Sequence, residues 1–356
     1  MNYQKEKQEI SSVIHNKFDE YLQFGFANME DVDEIMAFYK KYWGKNHILA
    51  NDKDFFLYEF GTDKQLNFYL ARDKTTKEIV ASCGLYYYST PFEQKKTDMS
   101  GGMFKANPDY KIPMVGLELA KRMFRELNSR AYLGIGANPK TMLVLATRML
   151  KQKGDKLQHY YRLADLGDYK VAKVINKKIL PIKPNGNLEL IFFSSADEMY
   201  NSFREDLFLN RIPYKDRKYV EKRYFNHPIY KYELYGVSDR MVLVTREIIC
   251  NGRKVLRIID ILGDCDLFGS IGNSIQELMD EKGYEYIDIY EYGMREDSLT
   301  DAGFMLLDEK DQTVIPNYFE PFVQENVDIY FHTPNDKFYM FKGDGDQDRP
   351  TSRHIK

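Results

Sequence analysis

Residues 168–187, DYKVAKVINKKILPIKPNGN, separate two long stretches that run through their elements in the same order. Pro181, Pro184 and the Asn185–Gly186 pair are incompatible with a continuous helix or strand, and a cluster of lysines marks exposed chain. Before this segment the pattern reads β-α-α-β-β-β-α-β-α-β. YLQFGFAN alternates as a strand does, and MEDVDEIMAFYKKYWG spaces Val32, Ile35, Met36, Tyr39 and Trp43 for one helix face. Asn51 or Asp52 is placed to cap a second helix, and three strands follow. Val115, Leu119, Met123 and Leu127 then make an amphipathic helix. A strand, a helix after Pro139 and the strand KLQHYYRLAD close the half. LELIFFSS opens the same sequence of elements again. The expected architecture is α/β (α+β): two tandem domains, 1–168 and 188–356, joined by linker 169–187, each with a mixed, mostly antiparallel sheet flanked by helices.

Composition excludes several classes. With 51 basic and 54 acidic side chains the net charge is −3, so no basic footprint for nucleic acid or anionic lipid is present. Cys83, Cys250 and Cys265 are odd in number and lack CxxC spacing, which reads as free thiols in a reducing compartment. The polar start MNYQKEKQEISSVIHNKFDE is not a signal peptide, and no apolar run is long enough for a membrane helix. A cytoplasmic protein is expected. The six histidines show no zinc spacing.

ANPDYKIPMVGLELAKRMF (106–124) resembles the acyl-CoA loop of the GNAT acyltransferase superfamily, in which a strand, a phosphate-wrapping loop and a helix follow one another. Ala106, Pro108, Asp109, Tyr110, Lys111 and Gly116 fall in register. Met114 stands where the family has its first glycine, and Lys111 where it has Arg or Gln. A helix N-terminus is a ready anion site. The resemblance therefore implies an acetyl-CoA or other acyl-CoA donor held by Met103, Phe104, Lys105, Lys111, Met114, Val115, Gly116 and Leu117. Asn138, at the end of the next strand, would also contact the cofactor. The tyrosine that often serves the family as acid for the leaving thiolate is replaced near Leu150. The equivalent loop of the second half, DILGDCDLFGSIGNSI, carries Asp264 and Asp266, which disfavour a pyrophosphate. That half is expected to be structural or acceptor-binding. The chain also resembles tandem proteins of bacterial surface-polysaccharide gene clusters, in YWGKNHIL, RYFNHPIYKYELY, VIPNYFEPF and FKGDGDQDRP.

Three residues are candidates for proton transfer. Asp98, on the strand flanking the acyl group, either deprotonates an amine or is a strand-edge aspartate. His47 either borders the acceptor or caps a helix. His227 is a base, a sugar ligand or a turn residue. In the final stretch, DGDQD begins like a calcium loop. Arg349 and Ile355 occupy the sixth and twelfth positions, where glycine and glutamate are needed, so no metal is expected. Asp344, Asp346, Asp348 and Arg349, with Tyr318, are instead candidates for an acceptor pocket, because carboxylates attract an ammonium and accept from hydroxyls. The alternative to a pocket is a loose acidic tail. The expected function is acyl-CoA-dependent N-acylation, with a nucleotide-linked amino sugar as acceptor. The alternatives are a FemABX-like transferase using charged tRNA and a non-catalytic binding protein.

Overall fold

The computed structural model describes residues 17–62, 65–89, 97–127, 129–183, 187–308, 310 and 312–352. The Asn185–Gly186 turn, residues 1–16, His354 and Ile355 lie outside them. The chain divides into two units: 1–86, 101–128 and 351–353, and 87–100, 129–350 and 354–356.

In the first unit, β1 (Leu22–Phe26) pairs antiparallel with β2 (Phe68–Asp73), and β2 pairs antiparallel with β3 (Ile79–Tyr87). Helix α1 (Val32–Tyr42) buries Val32, Ile35, Met36 and Tyr39 of the face its periodicity marks, while Trp43, just past its end, is exposed. The short helix α2 (Ile48–Asn51) leads into α3 (Lys53–Phe60), whose first turn is capped by Asp52 accepting from the Phe55 N–H at 3.0 Å. Phe55, Phe56, Phe60 and Phe68 are buried, with the Phe60 and Phe68 rings 4.6 Å apart. Each such burial contributes about 1.5–3 kcal/mol. Residues 101–106 of β4 (Thr97–Ala106) and helix α4 (Val115–Glu126) complete this unit.

In the second unit, residues 97–100 of β4 pair parallel with β5 (Ser129–Ile135), and the pairing ends at Ser100↔Leu133. The helical segment α5 (142–149) turns π-helical over Leu145–Met149. A larger sheet contains β8 (Ile191–Phe193), β9 (Glu233–Val237), β10 (Met241–Cys250), β11 (Arg253–Gly263) and β12 (Tyr284–Tyr292). Helices α6 (Ala196–Ser202) and α7 (217–225) precede β9. Strands β11 and β12 run parallel and are joined by α8 (Gly272–Lys282). The second half thus repeats the strand–helix–strand crossover β4–α4–β5. Ile258, Ile261, Phe268, Ile275, Met279, Ile287 and Phe304 form its core.

The ends of the halves are exchanged. Strand β7 (Gln158–Leu163), expected to close the first half, pairs with β12 and with β13 (Met305–Leu306), which follows helix α9 (Glu296–Asp301). Beyond the short hairpin β14 (Tyr318–Phe319) and β15 (Phe322–Val323), strand β16 (Tyr330–Thr333) of the second half pairs with β5 and with β6 (Lys153–Lys156). The contacts therefore do not divide at residues 168 and 188, where the linker composition placed the boundary. Strand β17 (Met340–Phe341) pairs with β12 and leads into the final stretch.

Candidate functional site

The first unit carries the residues between 103 and 117 expected to hold the donor. Asn107 donates its N–H to the Val80 carbonyl at 2.8 Å, and the Tyr110 hydroxyl donates to Asp73 at 2.6 Å, so the loop is tied at both sides of its turn. Met114 takes a left-handed conformation (φ 65°) and is half exposed, and no side chain caps the helix that starts at Val115. Gly116, half-buried, faces the Phe104 ring: a Cβ there would lie 3.4 Å from it. Val115 and Leu117 are buried, and Lys111 is exposed with its ammonium 5.6 Å from the Tyr21 ring. On β4, Met103 also has positive φ (54°), inside the strand. Its carbonyl accepts from the buried Tyr39 hydroxyl. Phe104 and Lys105 are half-buried. A left-handed break in a strand followed by an uncapped helix start is backbone that offers N–H groups outside the ladder.

In the second unit, the final stretch is packed rather than loose. Gly345 has φ 70°, and a Cβ there would meet Ile135 at 2.2 Å, so only glycine fits. Its N–H points to the Tyr88 hydroxyl at 3.2 Å, and the Gly343 N–H donates to the Ile259 carbonyl at 2.8 Å. Asp344 and Asp348 are buried, and each faces a different set of cations. Lys215 Nζ lies 2.8 Å from Asp344 and 2.5 Å from Asp260, which also accepts from the Tyr224 hydroxyl at 2.6 Å. Burial opposes the charge on Lys215, but Asp260 and Asp344 outweigh it and raise its pKa. One cation serves two carboxylates there, and burial holds the Asp344 pKa up despite Lys215. Asp348 accepts from Arg246 at 2.7 Å and from the Tyr232 hydroxyl at 2.8 Å. Burial pushes its pKa up, yet Arg246 and Arg223 overcome this and hold it well below the usual carboxylate range. Arg349 donates to the Gly345 carbonyl at 2.7 Å. Asp346 is half-buried and accepts from Gln347 at 2.8 Å. Tyr318 is about half exposed, and its pKa is raised by burial and by Asp346. The carboxylates thus diverge onto separate partners. Among the described residues no group of three or more His, Cys, Asp or Glu could hold a metal ion.

The three proton-transfer candidates have other tasks. Asp98 is 1% exposed and accepts from Arg130 Nε at 2.8 Å, Arg130 Nη2 at 2.5 Å and the Tyr214 N–H at 2.7 Å. It anchors the segment after α6, and its oxygens are engaged by these donors. His47 Nδ1 accepts from the Leu49 N–H at 3.2 Å, capping α2, and burial lowers its pKa. His227 Nδ1 accepts from the N–H groups of Ile229 and Tyr230 at 3.1 and 2.9 Å. Burial, then Arg223, lowers its pKa to about 2, so it is neutral and shapes a turn. In both rings the accepting Nδ1 leaves the proton of the neutral form on Nε2, which cannot then act as a base. Asn138 is exposed and accepts from the Lys140 N–H at 2.9 Å, a turn cap after β5. Leu150 follows the π turn of α5 and brings no acid.

The residues missed by sequence reading are the buried partners. Lys215, Arg223, Arg246 and Asp260 sit in stretches whose pattern reads as ordinary helix and strand. His159, Asp288 and Arg257 form a second buried chain. His159 Nε2 lies 2.8 Å from Asp288, which Arg257 holds at 3.0 and 2.6 Å. His159 stacks on Tyr290 at 3.8 Å, and both line a cavity of about 740 Å³ with Lys156, Leu307, Asn326 and Asp328.

No protein-family model and no curated protein sequence matches the chain. Solved structures do. A GCN5-related N-acetyltransferase from Anabaena variabilis matches with a TM-score of 0.54 at 10% identity, over 87% of this chain and 72% of that one. A conserved protein of unknown function from Enterococcus faecalis matches with a TM-score of 0.50 at 9% identity, over 87% and 72%. The chain has the GNAT fold. This agrees with the repeated parallel crossover in a mostly antiparallel sheet, and it identifies fold rather than activity. Among the described residues no helix is long and apolar enough to cross a membrane.

Proposed function

We propose that this GNAT-fold chain is an acyl-CoA-dependent N-acyltransferase whose donor loop is 107–117. The observation that carries the reading is the start of α4: a left-handed Met114, no capping side chain and a small Gly116, following a strand interrupted at Met103. The first-turn N–H groups and the positive helix end suit a pyrophosphate, with Lys111 exposed nearby in the chain. In the reaction the neutral amine attacks the thioester carbon, and a backbone N–H of residues 103–105 stabilises the developing oxyanion. The carbon–sulfur bond then breaks. With Asp98, His47 and His227 engaged as described, the amine proton passes through water to the departing sulfur, and CoA leaves as the thiol.

We further propose that the acceptor is an amino sugar carried on a nucleotide, as in surface-polysaccharide synthesis, bound at the final stretch of the second unit. Asp346 supports this reading, being half-buried next to the ion-paired Asp344 and Asp348, with the half-exposed Tyr318 ring electrostatically coupled to it. In this reading Asp346 meets the ammonium, while Asp344, Asp348 and Arg349 hold the backbone that presents it. Native mass spectrometry of the purified protein, followed by calorimetry with acetyl-CoA, tests the donor. A panel of nucleotide-linked amino sugars, scored by CoA release, tests the acceptor. Asp346→Ala should raise the acceptor KM about tenfold, the loss of one charged hydrogen bond, with donor affinity unchanged. An unchanged KM sinks the acceptor assignment.

A further inference from the structure

Met103 is a strained residue in the middle of a strand. A bulky side chain rarely takes positive φ, and such residues persist where the surroundings over-determine them. Three contacts do so here. Gly102, just before it, lies so close to the Tyr86 ring that a Cβ would stand 2.4 Å away. Tyr39 of α1, fully buried with its ring 5.9 Å from Phe68 and 6.0 Å from Trp43, donates its hydroxyl proton to the Met103 carbonyl. Ser82 of β3, also fully buried, lies 2.6 Å from the same hydroxyl. Because the Tyr39 proton goes to the carbonyl, the Ser82 hydroxyl is the donor in that pair. Burial raises the Tyr39 pKa well above its ordinary value, so the proton stays on the oxygen. A trans peptide points its N–H opposite to its C=O. Clasping the Met103 carbonyl on the Tyr39 side therefore directs the Phe104 N–H the other way.

We infer that Tyr39 and Ser82 are positioning residues for acyl transfer: through the Met103 carbonyl they fix the 103–104 peptide so that the Phe104 N–H meets the thioester oxygen. The inference rests on the donor reading above. Neither residue touches the substrate. Their effect is to hold a donor in place before the charge develops, where a donor that must reorganise contributes less.

The test uses full-length protein, acetyl-CoA labelled with ¹³C at the carbonyl, and hydroxylamine as a small amine that needs no acceptor pocket. The nitrogen bonds to the carbonyl carbon, the carbon–sulfur bond breaks, and CoA leaves as the thiol after taking the amine proton through water. Wild type should bind acetyl-CoA, show a carbonyl stretch moved to lower frequency, and form the hydroxamate. Tyr39→Phe should keep the acetyl-CoA Kd within about threefold, lose most of the carbonyl shift, and drop kcat at least tenfold, approaching the roughly 10²–10³-fold cost of losing an oxyanion donor outright. Ser82→Ala, which removes only a hydroxyl, should show the same split more weakly, and Ser82→Thr should restore it. Where Tyr39→Phe does not fold, the two Ser82 variants decide. An unshifted band position and unchanged kcat in folded variants overturn the positioning role while leaving the donor reading intact. A wild type that does not bind acetyl-CoA overturns both.

Discussion

The two crossover loops have the same connection and opposite surroundings. In β4–α4–β5 the helix begins at an exposed Met114 with no side-chain cap. In β11–α8–β12 the corresponding space is filled by the protein itself. Asp264 accepts from the Asp266 N–H at 3.1 Å and pairs with Arg240, and the Gly269 N–H donates to Ser298 at 3.2 Å. Gly272, at the start of α8, is buried, and a Cβ there would stand 2.6 Å from Ile182 and 3.0 Å from the Ala302 backbone. The strands that follow differ too: β5 ends on the apolar Ile135, whereas β12 carries the buried Glu291 near its end. One fold therefore leaves the helix start exposed at one crossover and packs it with the protein's own side chains at the other. The difference lies in side chains supplied from distant segments, not in the connection.

The largest expected effect breaks the open loop. Gly116→Glu places a carboxylate at the proposed pyrophosphate site and should weaken acetyl-CoA binding at least a hundredfold, about 3 kcal/mol, in calorimetry on a protein with unchanged melting. Asp266→Ala, in the filled loop, should leave the same affinity within twofold. Normal binding by Gly116→Glu would remove the asymmetry.

The next effect concerns pH. Burial raises the Glu291 pKa to about 7, and the Met294 N–H at 2.9 Å only partly offsets it. Between an unfolded value near 4 and the folded value, the folded state binds the extra proton. Stability should therefore fall as pH rises through this window, by about 3 kcal/mol in total. Glu291→Gln should flatten that slope in denaturant titrations between pH 5 and 8. A slope that persists in the variant would assign it to another group.

Packing gives a smaller contrast. Gly272→Ala should cost about 1–3 kcal/mol, because backbone must move. Gly116→Ala should be neutral or stabilising, since its Cβ meets the Phe104 ring and Ala106 at ordinary distance and alanine is the better helix former by about 1 kcal/mol. Equal costs at the two glycines would mean that the loops are packed alike. Ser298→Ala should cost about 1 kcal/mol by removing the acceptor of a buried N–H, with no change in donor affinity; a weakened donor would bring the second loop into the site.

The sequence by itself determined the local elements and the place of residues 107–117 among them. The spacing of Val115, Leu119 and Met123 marks the buried face of α4, Asp52 is a working cap, and the duplicated element order corresponds to two parallel crossovers. These features depend on neighbours three or four residues away, or on alternation along a strand, and such neighbours are written in order. Only the tertiary structure decided which strands pair and which charges meet. Nothing local distinguishes β7 beside β6 from β7 beside β12, because both partners satisfy an alternating strand. Asp98 reads as an available base until Arg130 and the Tyr214 N–H are brought to it across 32 and 116 residues. The acidic final stretch reads as a pocket or a tail, whereas Lys215 and Arg246, each about a hundred residues or more earlier, turn Asp344 and Asp348 inward. A carboxylate's role is set by the cations within a few ångströms, and the chain order carries no record of that distance.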